Sequence, residues 1–446
     1  MVLSLRGEKM RKLVSIYAIV ILVIIFSNCG GPRETVNQNI ATEKFLNSNQ
    51  LESRNGVSFV RGSQEPFSGG VRDSSGTILK YEGHYDAGLK DGIWKYYHDN
   101  GNVKQKGTFQ NNLKHGDWIS FDDNSNKATL EQYEDDIPEG FWEEYQLIIK
   151  RKVTYKMGKK QGPYLELNQE NQLLSEGAYK DDKKDGIWDE LVEDGYRDYT
   201  RYSNGIKQGS YNRIFPSGGN QISGNFIDGK KHGEWILKTE NGQILHRELY
   251  ANGALEHEES FRVDGTRVLV KSMKSNKLHG EYEEYFSNNQ LKVKGEYAQG
   301  KKEGTWRSWA DNGVLLKEEN YKVDIRDGEQ KHFFSNGNLE KYQNFSMGRL
   351  HGEAKEWDDR GVLRAQGYYT QGDLVGVKKT WYQNGNLEAE ISYRKGIEEG
   401  HILKWWENGK LKEAGAKKSG ENVGIWSNFN TSGVIETKTD YSAQGS

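Results

Sequence analysis

Across 446 residues there is one cysteine, Cys29. With no second thiol the chain can form no internal disulfide, and its stability must come from packing. There are only five prolines, too few for a Pro-rich disordered chain. Hydrophobic residues make up 34%, which argues against a thick globular core. The formal charge of −3 lacks the basic footprint of a nucleic-acid binder, so no nucleic-acid partner is expected. Apolar runs are short as well. The longest, residues 13–26, falls below the roughly 20 residues that a membrane-spanning helix needs. Glycine and aromatics are plentiful: 52 Gly, 25 Tyr and 12 Trp. Many rings, many glycines and little aliphatic material suit thin β-structure with frequent turns.

The N-terminus has the layout of an export signal. Arg6, Lys9, Arg11 and Lys12 precede the apolar run, and either Met1 or Met10 would start a complete signal sequence. Ser27-Asn28-Cys29-Gly30-Gly31 resembles a bacterial lipoprotein box, with Asn28 where Ala or Gly is usual. That resemblance implies a signal peptide over residues 1–29, lipidation at Cys29, and attachment to a membrane of the bacterial cell envelope, the outer membrane being expected. Residues 30–63 are polar and aperiodic, and read as a flexible tether.

Residues 64–446 form a repeat array. Glycines recur every 24 residues at Gly280, Gly304, Gly328, Gly352, Gly376, Gly400 and Gly424. They continue backwards at spacings of 22 to 24 through Gly233, Gly209, Gly186, Gly162, Gly140, Gly116 and Gly92 to a worn first unit at Gly69. In the 47-residue gap between Gly233 and Gly280, His257 takes the place of a missing glycine. About sixteen units result. Each has a second turn nine residues after its anchor, often Asn-Gly, as at Asn312-Gly313 and Asn408-Gly409. Asn-Gly is a strong hairpin signal because both residues tolerate positive φ.

The second strand of each unit alternates. Leu291, Val293, Gly295 and Tyr297 share one side, with Lys292, Lys294 and Glu296 on the other. Small residues beside aromatics would let rings lie over the neighbouring backbone. On the first strand, rings fall two and five residues after the anchor, as in Trp306 and Trp309. These positions have opposite parity, so either a bulge corrects the phase or both faces carry rings. The expected fold is all-β: an elongated, single-layer antiparallel β-hairpin array, a solenoid of units of about 24 residues.

The line YxxGxxxGxWxxYxxNGxL, fullest at residues 85–103, 297–315 and 393–411, resembles the MORN-repeat family, in its bacterial variant found in YwqK-type antitoxin proteins. The resemblance covers about 380 residues and implies binding or scaffolding, with contact to membrane lipid proposed for eukaryotic relatives. It does not point to an enzyme.

The residues themselves give no catalytic, metal or cofactor constellation. His115, His232, His279 and His351 each stand directly before an anchor glycine, which is a repeated turn position. Glu283-Glu284 and Glu318-Glu319 fall in strand registers as solvated charges, and the Gly-Lys-Lys turns lack the Ser or Thr of a phosphate loop. Two binding features remain. One is a putative face of Trp94, Trp118, Trp188, Trp235 and Trp306, with a neighbouring column of Trp309, Trp357, Trp381 and Trp405. The other is the lysine pair of the turns, Lys183-Lys184, Lys230-Lys231 and Lys301-Lys302. The expected function is a non-enzymatic, lipid-anchored envelope scaffold with a protein partner. The alternatives are a cell-wall or glycan-binding module using the tryptophan column, and an immunity or antitoxin-like protein.

Overall fold

The computed structural model describes residues 44–146 and 148–442. The signal peptide and Cys29 lie outside the described residues. The chain divides into two units, residues 1–101 and 102–446. Both are built of β-strands, antiparallel except for one short parallel pair in the first, with two single-turn 3₁₀ segments and no α-helix among the described residues.

In the first unit, the strands Gly69–Ser75, Ile78–Asp86 and Leu89–Tyr97 form a ladder. The outer strand of that ladder is covered. Leu46–Asn47 pairs parallel to it, Leu46 opposite Val71, and a hairpin of Leu51–Arg54 and Val57–Val60 follows. The last part of the expected tether, residues 44–63, is therefore folded. Apolar contact and edge pairing explain the difference. The Phe45 ring lies so close to Gly70 that a Cβ there would stand 2.9 Å from it, and Arg72 sits 4.0 Å above the same ring. An exposed sheet edge invites foreign pairing, and this segment caps it.

In the second unit, strands from Val103–Gln110 to Ile435–Asp440 pair with their sequence neighbours, and none returns to a distant strand, so the ladder is open. One local variation occurs where Ile137–Pro138 and Gly140–Tyr145 both pair with Lys127–Glu134. The terminal strand is exposed throughout and, after Ile435, polar, as suits an edge.

The two turns of each hairpin unit are of different types. Beside the anchor, Gln299 and Gly300 both have positive φ, +54° and +82°, a two-residue type I′ turn. At the Asn-Gly turns only the glycine does. Gly313 has φ +84° and donates its N–H to the Ala310 carbonyl, and Asn312 is not left-handed. The expectation from Asn-Gly is therefore corrected for these turns, which end in one left-handed glycine; both residues do take positive φ at Asn204-Gly205 and Asn252-Gly253, in the turns before the bulge. Asparagines at these turns work between units instead. Asn336 Nδ2 donates to the Asp359 carbonyl at 2.6 Å, Asn384 to Glu407 at 2.9 Å and Asn408 to Thr431 at 2.8 Å. The opposite turns are linked the same way by backbone, as in Gly348 N–H to Arg326 O and Gly396 N–H to Leu374 O.

Each anchor is a bulge. Lys294 pairs with Arg307 and Glu296 with Glu303, so the single residue Gly295 faces the three residues 304–306. Gly304 takes φ +67° with nothing within 4 Å of a Cβ position, so glycine is needed there for backbone conformation and not for space.

Candidate functional site

The bulge sets the anchor-plus-two side chain flat against the preceding strand. Trp306 lies over Gly295, where an added Cβ would stand 2.3 Å from its Cδ2. Its Nε1 donates to the Glu296 carbonyl at 3.2 Å. Tyr297 meets it edge-on at 4.9 Å, and Lys302 Nζ sits 4.3 Å above the ring. The same seat over a glycine recurs for Trp94 on Gly83, Trp118 on Gly107, Trp188 on Gly177, Trp235 on Gly224 and Trp426 on Gly415, and a lysine caps all of these but Trp426. Indole N–H groups donate to His84, Thr108, Ala178, Asn225 and Ala416. Trp94, Trp118 and Trp188 are 1% exposed, and Trp235 and Trp306 5%. These five residues of the expected binding face are therefore internal packing, because the glycine beneath and the lysine above leave no ring face open.

The lysine pairs divide in the same way. Lys184, Lys231 and Lys302 fold over the rings, each also reaching the next strand's Tyr202, Tyr250 or Tyr321. Lys183, Lys230 and Lys301 are exposed along the turn edge.

The parity question resolves to rings on both faces. Tyr97 donates to Glu82, and Tyr145 to Glu143 at 2.7 Å, so the anchor-plus-five ring shares the face of the anchor-plus-three residue. On this back face Trp309, Trp357, Trp381 and Trp405 are half-buried, as is Phe333 in the same register. They pair with Leu315, Leu363, Leu387, Leu411 and, for Phe333, Leu339. Each of these pairings follows a one-residue register slip, as between Ser308 and Trp309, so the leucines leave the alternation expected of the equivalent Leu291, and an apolar row of ring, Leu, ring, Leu crosses ten consecutive strands. Over much of the same segment the front-face tryptophan column has no ring, with Gln330, Ala354, Lys378 and Ile402 at its positions. Gln330 is 2% exposed, and its Nε2 replaces the indole N–H, donating to the Asn320 carbonyl at 2.8 Å.

Among the described residues one bulge of the array is shortened. His246 pairs with Ser260, Glu248 with Glu258 and Leu249 with His257, and the register then shifts by one residue where the regular bulge shifts by two. His257 is not left-handed. One bulge residue is missing, so His257 does not stand in for the anchor glycine as its spacing implied. It faces Ser272 and Glu259 on the back. Glu258 holds the ring position, and Glu248 the position of the glycine beneath. Glu258 pairs with Lys271 at 2.8 Å and Glu248 with Lys231 at 3.3 Å; Tyr250 Oη also donates to Glu248.

Beside this interruption a groove of about 590 Å³ opens on the front face, from Asp198 to Glu258. At its far end Arg213 donates to both oxygens of Asp198, at 2.7 and 2.9 Å. Burial and the neighbouring Asp198 carboxylate push the Tyr211 hydroxyl up to about 12. A smaller hollow of about 420 Å³ lies over Trp142, Val153 and Tyr164. At its margin is Glu143: burial alone would raise its pKa, but hydrogen bonds from Lys152, Tyr145 and Lys127 prevail and hold it at about 2. Among the described residues no group of three or more His, Cys, Asp or Glu could hold a metal ion. Sequence reasoning missed the groove, the capping lysines and Gln330. The signal for the first was the shortened unit, and for Gln330 its place two residues after Gly328.

Six segments, residues 90–111, 278–299, 302–322, 326–346, 350–371 and 374–395, match the family described as MORN repeat variant, and they support the MORN-repeat family. No curated protein matches the chain. Among solved structures, the crystal structure of TcdB2-TccC3 without its hypervariable C-terminal region aligns at 10% identity over 85% of this chain and 23% of that one, with a TM-score of 0.17. TcdB2-TccC3-TEV aligns at 10% identity over 86% and 27%, with a TM-score of 0.15. The chain thus spans less than a third of either structure's length, and neither likeness carries an argument.

Proposed function

We propose that this array, with its MORN-type repeats, is a non-enzymatic, lipid-anchored protein of the bacterial cell envelope that binds a protein partner along its back face. The observation that carries the reading is the row of Trp309, Phe333, Trp357, Trp381 and Trp405 with its paired leucines, half-buried and in one register. Large aromatics with partly open faces are the side chains on which protein interfaces concentrate their energy. Most front-face rings are covered, which favours this row over the tryptophan column as a ligand platform. Beside it the charged side chains are already paired, as in Arg307–Glu318 at 2.8 Å and Lys379–Glu390 at 2.6 Å. Such a border suits a partner's polar rim better than a strongly charged polymer.

The anchor is tested by growing the source cells with a clickable fatty acid. Label on wild type and none on Cys29→Ala is expected; an unlabelled wild type removes the anchor from the proposal. The row is tested by Trp357→Ser with Trp381→Ser, which should cut partner capture in the envelope while leaving the β-sheet circular dichroism unchanged.

A further inference from the structure

We infer that the front-face groove between Asp198 and Glu258 is a binding site for a neutral saccharide. The groove lies where one unit has lost a residue and exchanged the ring–glycine pair for Glu258 opposite Glu248. Like charges directly opposed on neighbouring strands destabilise a sheet, and each is offset here by a lysine, Lys271 or Lys231. Filling this position with a ring, as most other units of the array do, would close the space.

The lining selects the ligand class. Asp198, Glu248 and Glu258 are balanced by Lys207, Arg213 and Lys231, so the groove has no net charge to attract an ion. An acyl chain or other purely apolar ligand would strip water from all six charged groups and return no hydrogen bond, which is strongly unfavourable. An uncharged ring rich in hydroxyls meets both demands. Its hydroxyls donate to the carboxylates and accept from the ammonium and guanidinium groups, and its C–H face packs on Ile222 and Leu237. Because Asp198, Glu248 and Glu258 already pair with Arg213, Lys231 and Lys271, the carboxylates are held in place before the ligand arrives, which lowers the ordering cost. A volume of about 590 Å³ lies within the ordinary range for small-ligand sites. This differs from a glycan platform made of the tryptophan column, since Trp235 contributes an edge and not an open face. The site is on the face opposite the aromatic row and stands whether or not that row binds protein.

The test is calorimetric titration of the full-length chain in detergent with cellobiose, maltose and N,N′-diacetylchitobiose, beside a glucuronate-containing tetrasaccharide. Binding of at least one neutral sugar is expected, with little response to added salt. The double variant Glu248→Gly with Glu258→Trp restores the array's own ring–glycine pair; it should keep the fold, fill the groove and abolish binding. If it does not fold, Glu258→Ala keeps the groove open and removes one acceptor, and should weaken binding roughly tenfold. No neutral sugar bound, binding of the acidic sugar alone, or unchanged affinity in the folded variant would each overturn the assignment.

Discussion

At the residue scale, two kinds of glycine do different work, and their substitutions should differ accordingly. Gly295 has ordinary backbone angles but no room. An alanine there must displace the Trp306 indole, whose Cδ2 would be 2.3 Å from the new Cβ. Gly295→Ala should cost about 2–3 kcal/mol by overpacking, and Trp306→Ala about 3–5 kcal/mol by cavity formation. The equivalent position under Gln330 is Glu319, which already carries a Cβ, so Glu319→Ala should cost much less. Hydrogen exchange of the flanking strand amides measures each loss locally, as an array that opens in segments requires. Glu143 supplies a pH test. Its folded pKa is depressed from 4.5 to about 2, so its contribution is complete above the ordinary carboxylate range and disappears as pH falls through that interval. Exchange protection in Gly140–Tyr145 and Ile149–Lys156 should drop over this window, and Glu143→Gln should lower protection at neutral pH and flatten the profile.

At the element scale, the hairpin unit was largely legible, because period, turns and alternation are all local properties of the text. Gly295 beside an aromatic already implied a ring lying over backbone, and the fold has it. What the text could not give was which ring position is covered. Trp306 and Trp309 look alike in sequence, and only the two-residue bulge at Gly304 lays the first flat on Gly295 while the second stays half-open. The Asn-Gly signal located the turn correctly but for an incomplete reason, since Asn336 and Asn384 serve by donating to the next turn. His257 was misassigned because counting residues cannot show whether a bulge has shrunk. The same register gives a prediction. A glycine inserted between Glu256 and His257 restores the 24-residue spacing and keeps Glu258 in the ring column. It should be tolerated with an unchanged or raised thermal midpoint; loss of the cooperative transition would show that the shortened bulge is required for folding.

At the scale of the whole molecule, stability in such an array is a sum over neighbouring units, so function can occupy one stretch without disturbing the rest. The front face is mainly committed to holding the sheet together, whereas the back face between Trp309 and Leu411 keeps apolar surface partly open. Trp309→Ser, Trp357→Ser, Trp381→Ser and Trp405→Ser together should therefore remove binding at a modest cost in stability, unlike any single front-face tryptophan. The back-face row is the surface proposed to meet the partner. Proximity labelling in intact source cells, comparing wild type with the four-serine variant at equal abundance, tests it most directly. A set of envelope proteins labelled by wild type and lost with the variant is the expected result; the same neighbours at the same intensity in both would contradict it.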